Sequence, residues 1–148
     1  MSNITFQNIV NIFLDRVPEL KKTESFDEKD LELPHVFFGN FANFLLKRIE
    51  KTQNPAQDEI IRKTFSFLNE VFNAPKTEWQ KQITARIRSN DKFSREEMEK
   101  ISLEPTNLLG IEFFESFVSS KKTIDVAQKL LKDDALESFE ETMQYFKK

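Results

Sequence analysis

Pro34-His35-Val36-Phe37-Phe38-Gly39-Asn40-Phe41-Ala42-Asn43-Phe44-Leu45-Leu46 is the segment that most restricts what this chain can become. Proline suits the first turn of a helix, where its missing N–H has no intrahelical partner to lose. Behind it, Phe37, Phe38, Phe41 and Leu45 recur at the three- and four-residue spacing of one helix face. A helix this aromatic must be enclosed by other helices. The segment therefore predicts an all-α fold with this helix at its centre.

The rest of the chain agrees. Two Gly and five Pro are too few for the tight turns of a many-stranded sheet. A length of 148 residues fits one domain, 1–148, with a core large enough to need no metal or disulfide. The absence of Cys removes thiol nucleophiles and Cys-based zinc sites. The charge of −3 argues against a general nucleic-acid binder, which needs a basic face. No apolar run is long enough to span a membrane, and Met1-Ser2-Asn3-Ile4-Thr5 lacks the features of a signal peptide. Together these predict a cytoplasmic protein.

Start signals divide the chain into seven or eight helices, expected as an antiparallel bundle or a short repeat-like stack. Ile9, Val10, Phe13, Leu14 and Val17 form the first stripe, which Pro18 ends. Residues 21–33 read as a long loop. Asn54-Pro55 reads as the cap and first turn of a third helix carrying Ile61, Phe65, Leu68 and Phe72. Thr77 with Gln80, Ser94 with Glu97 and Asp134 with Glu137 have the spacing of reciprocal capping boxes. The helix from Thr77 turns Trp79, Ile83 and Ile87 inward. Pro105 starts a sixth helix, with Leu108, Leu109, Phe113, Phe114 and Phe117, and Thr123 caps a seventh. The last places Leu136, Phe139, Met143 and Phe146 on one seam. Gly39 and Gly110 each follow a proline by five residues, which is compatible with a repeat or with coincidence. Both read as points of close helix packing.

Candidate chemistry is sparse. His35, the sole histidine, lacks a Cys or a second His, so it reads as a helix-start residue that caps or packs locally. No catalytic residue, metal site or cofactor is predicted. Two acidic clusters remain as candidate partner-binding surfaces. Glu24, Asp27, Glu28, Asp30 and Glu32, with Lys29 among them, carry −4 across nine residues of the predicted loop. They lack the Gly and ligand spacing of an EF-hand, and suit docking of a basic partner. Asp133, Asp134, Glu137, Glu140 and Glu141 form the second cluster, at a helix start and on its polar face, where acids are also simply favoured or solvated.

Pro34 to Leu45, followed by a Phe/Leu-rich helix and then Asn73-Ala74-Pro75-Lys76-Thr77-Glu78, resembles a family of small bacterial helical proteins. Their gene settings suggest immunity proteins of toxin systems. The likeness runs over roughly residues 9–118 and departs at the charged segment 91–104. It implies a cytosolic binder that blocks a cognate toxin and is not an enzyme; the acidic, motif-free composition is compatible with occlusion of a basic nuclease, and a monomer or weak dimer is expected. The other expectation is a helical-repeat adaptor that binds proteins in a groove between helix pairs.

Overall fold

The structure, a computed structural model, describes residues 3–146. Among them there is no strand, and the fold is all-α as the sequence predicts. The helices are α1 (Ile9–Arg16), α2 (Pro34–Lys51), α3 (Glu59–Phe72), α4 (Glu78–Arg88), α5 (Arg95–Ser102), α6 (105–117), α7 (Lys121–Leu130) and α8 (Asp133–Phe146). Three short 3-10 turns, Pro18–Lys22, Glu28–Asp30 and Pro55–Gln57, fill the connections between α1, α2 and α3.

The core is built from phenylalanine. Eleven of the sixteen are buried, and their rings form a continuous series through the molecule. Phe13 of α1 meets Phe38 and Phe41 of α2 and Phe67 of α3 at centroid distances of 5.3, 5.1 and 5.0 Å, all edge to face. Phe41 reaches Phe113, Phe113 reaches Phe117, and Phe114 stacks on Phe72 and meets Phe139 of α8 edge-on. Such pairs contribute about 0.5–1.5 kcal/mol each beyond the area they bury.

α6 is interrupted. Pro105–Leu109 and Glu115–Phe117 are α-helical, but Gly110–Phe114 between them is a π-helical turn. The wider turn adds a residue to the helix and so rotates its faces. It buries the adjacent Phe113 and Phe114 in two directions, the first toward α2 and the second toward α3 and α8.

Several local expectations change. The predicted loop 21–33 contains 3-10 turns, and its Phe26 and Leu31 pack on the core, so it is a pinned segment. Asn54-Pro55 opens a 3-10 turn, while Asp58 caps α3 by accepting from the Ile61 N–H. The boxes at Thr77 and Ser94 form in full. The box expected from Asp134 and Glu137 does not. Instead Asn73 of α3 accepts the Ala135 N–H at 3.0 Å, and Asn69 accepts from Lys132 N–H and donates to the Leu130 carbonyl. Thr123 is buried within α7, which Ser120 caps. Ile87 and Phe146, expected inward, are exposed. Gly39 faces the Glu112 carboxylate, with an ideal Cβ 3.0 Å from Oε1, and Gly110 has open space around its Cβ position. The Pro34–Gly39 segment meets the π turn of α6, through Phe38 on Phe113 and His35 on Glu112.

Candidate functional site

Three features of the surface combine polar chemistry with exposed apolar groups or an unusual backbone. The first is an acidic shoulder at the start of α2. Phe26 and Leu31 anchor segment 24–33 to the core, which holds its acids on a fixed frame. Asp27 accepts the Lys29 N–H at 3.0 Å and so caps the 3-10 turn. Asp30 accepts from the Asn40 side chain of α2 at 3.0 Å. These two acids shape the segment. Glu24, Glu28 and Glu32 are exposed, and among the described residues their carboxylates have no ion-pair partner. Beside them, Leu33 and Val36 lie one helical turn apart and are 51% and 45% exposed. The shoulder therefore offers free negative charge around a small apolar patch.

The second feature is the other predicted acid cluster, which has a different fate. Asp133, Asp134, Glu137, Glu140 and Glu141 are all exposed, as expected. Arg88, at the end of α4, crosses to this face. Its Nη2 lies 2.9 Å from Glu137 Oε1 and 3.1 Å from Glu141 Oε1. That engagement holds the Arg88 guanidinium above its ordinary pKa, chiefly through the hydrogen bond to Glu141. Asp134, Glu137 and Glu141 form one wall of a cleft of about 610 Å³ between α4, α6 and α8. The sequence analysis missed this cleft. Its signals were two apolar residues, Ile87 and Ile111, which the fold leaves exposed.

The third feature is His35. Its Nδ1 lies 2.8 Å from Glu112 Oε2, a residue 77 positions away in the π turn of α6. The local capping role expected for it is replaced by this long-range link. The ring also meets Phe6 at a 6.0 Å centroid distance. The pair ties the start of α2 to α6, directly over Gly39. Among the described residues no cluster of three or more His, Cys, Asp or Glu could hold a metal ion. None of the described helices is long and apolar enough to cross a membrane.

No family model matches this chain, and no curated protein or solved structure matches it.

Proposed function

We propose that this protein is a non-catalytic, cytoplasmic binding protein that occludes a basic protein partner with the acidic shoulder at the start of α2. The observation that carries the reading is the set of unopposed carboxylates of Glu24, Glu28 and Glu32 beside exposed Leu33 and Val36. Free negative charge raises the encounter rate with a basic surface, and a central apolar patch supplies the contact that slows release. The pinned frame supports this role, because a segment already ordered gives up little conformational entropy on binding. The resemblance carried by Pro34–Leu45 supports a cognate toxin as the partner and immunity as the role, and a basic nuclease suits the charge of such a shoulder.

The structure refines which substitutions test this. Asp27 and Asp30 hold the segment in shape, so reversing them would disturb the fold as well as the charge. Glu24→Lys, Glu28→Lys and Glu32→Lys change the charge alone. Together they are expected to slow association with the partner and flatten its dependence on salt. An association rate and salt slope equal to those of the parent protein would remove the shoulder from the interface.

A further inference from the structure

α4 stands off from the body of the molecule, burying Ile83 while its other side chains stay partly or fully exposed. The cleft this leaves has Ile83, Ile111 and Phe114 along its floor and Ile87 at its lip. Ile87 is 55% exposed and Ile111 41% exposed. Apolar surface at a concave place is where a convex apolar partner fits. The α8 wall sets Asp134, Glu137 and Glu141 along one edge, with Glu137 and Glu141 one helical turn apart. Both hold the Arg88 guanidinium at the edge of the apolar trough. All three side chains are more than half exposed, so the contact is weak and exchangeable.

From this arrangement we infer that the cleft between α4, α6 and α8 docks a cationic amphipathic helix of a partner protein. The apolar stripe of the helix covers Ile83, Ile87, Ile111 and Phe114. A Lys or Arg on its flank takes the place of Arg88 at Glu137 and Glu141. Arg88 is then an internal stand-in for the partner's cation. This surface shares no residue with the acidic shoulder, and the inference does not depend on it.

Removing Arg88 frees two carboxylates, so Arg88→Gln strengthens binding, where truncating an ordinary contact residue weakens it. The probe is a synthetic helix of about 18 residues, or five turns, with a Leu stripe and Lys on both flanks. A companion peptide keeps the Leu stripe and carries Glu on the flanks. Trp79, the sole tryptophan, lines the cleft and reports occupancy by its emission. Peptide anisotropy gives the affinity.

The Lys-flanked peptide is expected to bind one-to-one and shift Trp79 emission, and the Glu-flanked peptide to bind about tenfold more weakly or worse. Ile87→Asp should weaken binding about tenfold with an unchanged melting temperature, since the residue is already in water. Arg88→Gln should tighten it severalfold, and Glu137→Gln with Glu141→Gln should reverse that gain. Val36→Asp, on the shoulder, should have no effect. Equal binding of the two peptides, no saturable binding, or a weaker Arg88→Gln complex would overturn the inference. So would loss of binding with Val36→Asp, or a dimer of this chain that Ile87→Asp dissolves.

Discussion

Asn69 of α3 reaches across to the corner between α7 and α8. Its side chain donates to the Leu130 carbonyl at 3.0 Å and accepts the Lys132 N–H at 2.9 Å, closing the corner between α7 and α8. Asp133 just beyond has φ of +52°, a left-handed conformation that Asp tolerates better than most residues. Asn69→Ala removes both bonds and should lower stability by about 1–2 kcal/mol in chemical denaturation, with the exposed Lys129→Ala as the neutral reference. The two glycines teach a related lesson. Each follows a proline by five residues, yet Gly39 has a carboxylate over it and Gly110 has open space. Gly110→Ala should therefore stabilise the helix by up to about 1 kcal/mol, seen as a rise in melting temperature. A fall would show that the π turn needs the freedom of glycine there. Sequence spacing cannot separate the two positions, because the group over Gly39 is Glu112, far along the chain, and nothing local announces it.

At the scale of elements, the Arg86 guanidinium gathers several contacts of the α4–α5 hairpin. Arg86 pairs with Glu97 and donates to the Lys92 carbonyl at 2.7 Å, with the Phe93 ring 4.5 Å from its Cζ. The turn between the helices places Asn90 at φ of +60°, where Asn is one of the tolerated residues. The Arg86 hydrogen bond, helped by the Ser94 N–H, holds the Glu97 carboxyl down to about 2 from an ordinary value of 4.5. A lowered carboxylate pKa means stabilisation that is complete above pH 4.5 and lost as pH falls toward 2. Amide protection factors in α4 and α5, with the intrinsic pH dependence of exchange divided out, should thus hold level from neutral pH down to about 4.5 and then fall, more steeply in the parent protein than in Arg86→Ala. Identical pH profiles for the two proteins would show that this pair does not hold the hairpin. Both reciprocal caps of this hairpin were legible, because a capping box is a contact within four residues. The third was misplaced, since Asn69 and Asn73 supply from α3 what the local pattern assigned to Asp134 and Glu137.

For the whole molecule, the helical content and the central place of α2 followed from phenylalanine spacing and scarce glycine, because burying such stripes leaves few alternatives. The surface was less legible. Two acid clusters of similar composition looked equivalent in the chain, and the fold separates them by bringing Arg88 to one across about fifty residues and leaving the other unopposed. The cleft beside Arg88 was invisible for the same reason, being formed where α4 fails to close on α6 and α8. The proposed function rests on the shoulder that stayed unopposed. Its most direct test is co-expression of this protein, tagged, with the product of the gene next to its own, followed by growth and size-exclusion measurements. The account predicts a basic neighbour that arrests growth alone, a one-to-one complex that restores it, and loss of both complex and protection with Glu24→Lys, Glu28→Lys and Glu32→Lys combined. A neighbour that is harmless and does not bind, or a complex indifferent to those three charges, would contradict it.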